Sequence, residues 1–317
     1  MSERPGGRSR FADALTAGAY RAGAAAAKVV PGFVANGLVY PIGAAANAAS
    51  PERRAMIQRH LTRIDPSLRG VALRRAVQDA FDSYARYYIE SFRLPSLPAT
   101  TVERGIHVDG YEHLTAGLER GNGVILALPH LGGWEWAGRW ATDRGHPMTV
   151  VVERIDPPQV FDWFVKLRAR LGMTVVPLGP QAGRAVLQAL RKNQVVCLLS
   201  DRNIGGGGIR VEFFGEHTLL PAGAATLSLR TSAPLLPTAV YFTTPGRDGH
   251  RGVVRPPVSV ERTRKLRTDV AAMTQAMAHE FERLIRRAPS QWHLFQPNWP
   301  SDPGYVQTGD GRRAAHA

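Results

Sequence analysis

What this chain of 317 residues lacks narrows its chemistry before anything it contains does. One cysteine, Cys197, excludes a disulfide framework and a cysteine-based zinc site. Such sparing use of cysteine suits a reducing compartment, and Cys197 in the apolar run QVVCLLS reads as a strand residue. The ten histidines contain no His-x-x-x-His pair, so no metal ion is expected. No G-x-S-x-G is present, which removes the serine nucleophile elbow. The GGGG at 205–208 is not followed by Gly-Lys-Ser/Thr and is not a P-loop. Acidic residues are scarce, 26 against 40 basic ones, leaving a net charge of +14.

That charge asks for an anionic partner: nucleic acid, a lipid surface or a phosphorylated substrate. The basic residues are mostly arginine and are spread out, with no dense basic block and no aromatic-plus-basic RNA signature. Nucleic acid is therefore not the expected partner. Long apolar runs are scarce too. Residues 29–50 carry no charge, enough for a span of about 20 residues. Pro31 and Pro41 interrupt them, however, and Gly32, Gly37, Gly43 and many alanines dilute them. Lys28 and the long basic start also spoil a signal peptide. The stretch reads instead as one or two short helices lying on a surface, with Arg10, Arg21 and Lys28 available to lipid phosphates.

The rest of the chain has ample material for a core, 44% of it hydrophobic. Apolar runs at 123–129, 148–153, 173–178, 194–200, 209–214 and 235–242 read as strands, and helices fit 134–143, 157–171 and 181–192. Asp65-Pro66 looks like a helix start, followed by Leu73, Val77, Phe81, Tyr84 and Tyr88 at helical spacing, a core stripe or the wall of a lipid groove. Leu266, Val270, Met273, Met277, Phe281 and Leu284 mark a second amphipathic helix. Strands alternating with helices predict an α/β fold: a single domain with a mostly parallel central sheet flanked by helices, and N-terminal amphipathic membrane-associating helices. The expected layout is a disordered basic tail over 1–10, a membrane-surface segment over 11–50, the main domain over 51–300 and a disordered tail over 301–317.

The stretch ALPHLGGWEWAG (127–138) carries the clearest chemistry. His130 follows a strand, where open α/β sheets display their sites, and Gly132 and Gly133 permit a tight turn and leave room for substrate. Glu135 falls in the first turn of the next helix, whose free N–H groups suit a developing oxyanion. On one continuous helix the two residues would diverge by about 140°, but the turn lets the carboxylate fold back onto the imidazole. Histidine with a carboxylate partner is a general base, and with no Ser or Cys in the loop it would activate a substrate hydroxyl directly. The spacing alone fits an ordinary strand–helix turn equally well.

The segment PHLGGWEWAG resembles the His-x4-Asp/Glu motif of the lysophospholipid acyltransferase superfamily, and within it the late lipid A and actinobacterial phosphatidylinositol mannoside acyltransferases. ERIDPP, FFGE, PAG and the ending QWHLFQPNW agree in order, so the resemblance spans roughly residues 50–300. The ending tilts it to the mannoside branch, which usually has Asp where this chain has Glu135. The resemblance implies transfer of a long acyl chain from acyl-CoA, without a cofactor, to a hydroxyl of a mannosylated phosphatidylinositol glycolipid. It implies His130 as base with Glu135 orienting it, Glu153 and Arg168 on the glycolipid head, and Asp201 with Arg202 holding the site. Glu216, beside FFG, is a weaker candidate, and His293 reads as a core or interfacial residue. The glycine-rich NIGGGGIR would shape the acceptor side. A peripheral place on the cytoplasmic face of the inner membrane would follow. The alternatives are another glycolipid acceptor, or a lipid-binding or transfer module without chemistry.

Overall fold

Apolar runs bounded by turn residues leave the chain little choice but to bury them as strands. In the computed structural model, which describes residues 18, 31–154, 158–204, 207–243, 249–263 and 265–306, the strands are β1 (Ile106–Asp109), β2 (Val124–Leu128), β3 (Met148–Val152), β4 (Met173–Pro177), β5 (Val195–Leu199), β6 (Ile209–Phe213), β7 (Glu216–Leu220), β8 (Leu235–Phe242) and β9 (His250–Val254). All six expected runs are among them. Seven strands form one sheet in the order β1-β9-β8-β2-β5-β3-β4, with every pairing parallel except β8–β9. The expected mostly parallel α/β architecture is the observed one. β2 and β8, at its centre, are buried throughout, which is why they read as unbroken apolar runs rather than alternating ones.

The helices are α1 (Gly32–Ala49), α2 (Pro51–Ile64), α3 (Gly70–Arg93), α4 (Ala99–Arg104), α5 (Tyr111–Glu119), α6 (Trp134–Asp143), α7 (Pro158–Arg170), α8 (Ala182–Arg191), α9 (Gly223–Thr231) and α10 (Leu266–Arg286). They cover both faces of the sheet. Val186, Leu190, Met277 and Phe281 pack α8 and α10 into one core, while Leu114, Trp136, Trp140 and Phe164 pack α5, α6 and α7 into another.

The differences from expectation are local and each has a cause. Run 209–214 is a strand but leaves the main sheet: β6 pairs antiparallel with β7 in a separate hairpin. Its two-residue turn places Phe214 at φ 51° and Gly215 at φ 76°, the left-handed pair that a tight hairpin demands. Asp65 starts no helix. It follows the end of α2, and its carboxylate accepts hydrogen bonds from the Ser67 amide (2.9 Å) and hydroxyl (2.6 Å), closing a turn before α3 begins at Gly70.

Pro41 does not break its segment, since α1 runs through it. Helix α1 lies close on α3: a Cβ at Gly43 would sit 2.0 Å from Asp82 Oδ1, so packing compensates the bond that proline forfeits. Among the described residues no helix is long and apolar enough to cross a membrane. The basic tail over 1–10, most of 11–30, Gly205 and Gly206 of the glycine-rich stretch and the tail over 307–317 lie outside the described residues. Ser301 and Asp302, assigned to a tail, are held in the fold. The buried Asp302 carboxylate accepts from the Asn298 amide (2.9 Å), the Trp299 amide (3.1 Å) and Arg63 Nη1 (3.3 Å).

Candidate active site

Parallel strands deliver the residues that follow them to one edge of the sheet. β2 and β5 are neighbours with Leu128 opposite Leu199, so two residues further on His130 and Asp201 come out side by side. Nδ1 of His130 is 2.6 Å from Asp201 Oδ1. The other carboxylate oxygen, Oδ2, accepts the His130 amide (2.9 Å) and the Trp292 indole N–H (2.7 Å). Asp201 is fully buried, His130 part-buried. Burial by itself would raise the pKa of that carboxyl, but the His130 ring and the donated N–H bonds outweigh it and hold Asp201 below the usual carboxylate range. The imidazole keeps Nε2 for the cleft that His130 lines.

The expected His130–Glu135 contact is absent and its partners are exchanged. Glu135 does fall in the first turn of α6, but its side chain runs inward, 2% exposed, where Arg168 Nε (3.0 Å) and the Tyr87 hydroxyl (3.0 Å) donate to it. Burial pulls the Arg168 guanidinium down, and the Glu135 carboxylate more than offsets this, leaving it above its ordinary value. Tyr87 is pushed up by burial and then by the same carboxylate. Arg168, engaged with Glu135, is thus not the free fork for a phosphate that the sequence suggested. Glu153, after β3, pairs with Arg202, after β5, and both line the cleft. Glu216 is not brought to the site: the hairpin turns it toward Arg63 (3.0 Å) and the Ser301 hydroxyl (2.7 Å). Six charged candidates therefore resolve into three pairs, none joined as the sequence order implied.

The two glycines behind His130 serve packing rather than substrate entry. Gly132 has φ +61°, and a Cβ there would sit 2.0 Å from the Val240 carbonyl oxygen; one at Gly133 would meet the His250 ring at 2.7 Å. The loop is stitched down by the C-terminal segment: Gly132 N donates to Gln291 O (3.0 Å), and His293 N donates to His130 O (2.7 Å). Trp292 thereby reaches Asp201. Its role was missed, although the segment QWHLFQPNW had been singled out as a motif.

Two cavities meet here. An open cleft of about 600 Å³ contains His130, Glu153 and Arg202, walled by Tyr84, Tyr88 and Phe164. The α3 stripe is therefore core at Val77 and Phe81 and groove wall at the two tyrosines. A narrow apolar cavity of about 80 Å³ runs behind Glu135 between α6 and the sheet, past Gly138, Met148 and Met173. Cys197 lines it, its thiol pushed up to about 12 by burial and by Glu135, so it is no nucleophile. Ser200 is buried and its hydroxyl donates to Leu198 O (3.2 Å).

A histidine poised by a buried carboxylate, beside an apolar cavity and an open polar cleft, has the parts needed to move an apolar acyl group onto a hydroxyl. Comparison with known proteins agrees. The model of the bacterial lipid A biosynthesis acyltransferases matches residues 9–301. A phosphatidylinositol mannoside acyltransferase of Mycobacterium tuberculosis is 40% identical over 228 residues, covering 70% of each chain. One from Mycolicibacterium smegmatis is 35% identical over 300 residues, covering 93% of each. The lipid A biosynthesis palmitoleoyltransferase of Escherichia coli is more distant, 23% identical over 79% of this chain and 80% of its own. The chain belongs to the bacterial lipid A biosynthesis acyltransferase family.

Proposed function

We propose that this acyltransferase carries a long acyl chain from acyl-CoA directly to a hydroxyl, on mannose, of a phosphatidylinositol mannoside. The observation that carries the mechanism is the His130–Asp201 pair at the ends of adjacent strands. Asp201 on Nδ1 fixes the tautomer in which Nε2 is free to accept, and it stabilises the imidazolium once the acceptor's proton arrives. The hydroxyl oxygen then attacks the thioester carbonyl, and the departing thiolate takes the proton back. With Cys197 disarmed and Ser200 bonded to the backbone, transfer in one step without an acyl-enzyme is the simplest route. The wide cleft suits a sugar headgroup, where Glu153 and Arg202 offer an acceptor and a donor for hydroxyls and phosphate, and the small apolar cavity beside it suits the first few carbons of an acyl chain.

The acceptor's identity rests on the names of the mycobacterial relatives. A peripheral place at the cytoplasmic face of the inner membrane is supported by the net charge of +14 and by the outer face of α1. There Phe33 (79% exposed), Leu38 and Ile42 stand in solvent on a helix that carries no charge.

The test is acyl transfer from radiolabelled acyl-CoA to mannosylated phosphatidylinositol, with a lipid A precursor as the competing acceptor. Acylated mannoside from the native protein and none from folded His130→Ala is the expected result. Product on the lipid A precursor alone would reassign the acceptor, and an undiminished His130→Ala would refute the base. Lipid binding with no product from any acyl-CoA would point to a transfer module.

A further inference from the structure

Resting on the reading of this site as an acyl-thioester transferase, a second question is what holds the carbonyl oxygen that becomes negative during attack. An acyl chain whose first carbons lie in the apolar cavity, with its thioester in the cleft, must cross the junction between the two. Five residues line both spaces: Trp134, Val151, Val152, Arg168 and Leu199. Three are aliphatic, and the guanidinium of Arg168 donates to Glu135. Trp134 is the remaining donor. Its indole Nε1–H is buried with no hydrogen-bond partner among the described residues, a state that a bound acceptor would relieve. Its ring stands edge-on to the His130 ring, 5.8 Å between centroids at 89°. The same cleft wall holds a second unpartnered polar atom, Nδ1 of the buried His293, whose ring lies 5.8 Å from that of Trp134.

We propose that Trp134 donates its indole N–H to the carbonyl oxygen of the bound acyl thioester and stabilises the oxyanion formed there. As the acceptor hydroxyl oxygen bonds to the carbonyl carbon, its proton passes to His130 Nε2. The C=O π pair moves onto oxygen, where the indole N–H receives it. Collapse restores the C=O bond, breaks C–S, and returns the proton from His130 to the thiolate, giving ester and free thiol. Preorganised donors of this kind act because charge develops where they already point.

Two replacements at position 134 test this: Trp134→Phe, and the isosteric benzothienylalanine, which swaps the N–H for sulfur while keeping the ring's shape. Each is expected to lower kcat about 100-fold with little change in KM, and to leave binding of S-hexadecyl-CoA, a thioether without a carbonyl, unaltered. In the inactive His130→Ala background, the infrared band of a 13C-carbonyl palmitoyl-CoA should shift to lower frequency on binding, and the shift should vanish when residue 134 is also replaced. Unchanged kcat in the benzothienylalanine protein, or an infrared shift that survives the replacement, would overturn the assignment while leaving the acyltransferase reading intact. Absence of turnover by the native protein would remove both.

Discussion

Exchanging Asp201 for asparagine separates a catalytic partner from a structural one at nearly constant shape. The native carboxylate offers Oδ2 to two donors, the His130 amide and the Trp292 indole, and Oδ1 to His130 Nδ1 at 2.6 Å. An asparagine satisfies the two donors only by placing its amide oxygen at the Oδ2 position. Its NH2 then faces Nδ1, which must become an acceptor, so the ring proton moves to Nε2, the atom that should take the substrate's proton. The base is disabled by tautomer rather than by displacement. The corresponding change in serine-protease triads costs about 10⁴ in rate, and a loss of about 10³ to 10⁴ in kcat, some 4–5.5 kcal/mol of barrier, is expected here with KM little changed. Stability should fall by only about 1–2 kcal/mol, since two of the three accepted bonds survive. Asp201→Ala would strand buried N–H groups at about 1–3 kcal/mol each and unfold far more readily. Steady-state acyl transfer on protein checked by thermal unfolding reads all of this. An Asp201→Asn protein that keeps most of its kcat would refute the dyad.

Glu135→Gln gives the complementary result: it leaves the part-buried Arg168 charge poorly matched and should cost about 3–5 kcal/mol in urea unfolding, while the shape of the pH–rate profile is unchanged. Gly132→Ala places a Cβ 2.0 Å from the Val240 carbonyl at a φ of +61°. A drop in melting temperature with loss of activity is expected, and a protein as stable as the native one would show that the loop is not pinned. Burial, and then the nearby His130, hold the His293 imidazole down to about 3. The unfolded chain protonates this group near its ordinary pKa, about 6.5, and the folded protein does not. Stability therefore rises with pH across that window and is lost as pH falls from about 6.5 toward 3. His293→Gln should flatten this slope in melting curves taken between about pH 7 and pH 4, and an unaltered slope would place the titration elsewhere.

Which parts of this were legible in the chain follows from the range of the forces involved. Periodicity and turn chemistry act over a few residues, so the central strands, α6, α7, α8 and α10 all stand where the apolar pattern puts them. Short or half-exposed elements such as β1 and β9, with a broken apolar pattern in His107 or Arg251 and Gly252, gave no such signal. A strand followed by histidine and two glycines was enough to single out His130 as a candidate, and Glu135, Arg168, Asp201, Glu153 and Arg202 all stand out as charged groups.

What the sequence could not say is which charge meets which. It offered Glu135 because five residues of chain separate it from His130, whereas Asp201 is seventy-one residues away. Proximity along the chain lost to the register of two parallel strands, which sets His130 beside Asp201 and frees Glu135 to neutralise a part-buried arginine. The C-terminal QWHLFQPNW was visible as a motif from the outset, but its purpose was not. Only the tertiary structure lays it across the His130 loop, where it pins the backbone and delivers the Trp292 indole to Asp201. Residue types and local periodicity determined the kind of chemistry and the frame that carries it. The pairing of charges belonged to strand register and long-range packing, because hydrogen bonds answer to distance in space and not to distance along the chain.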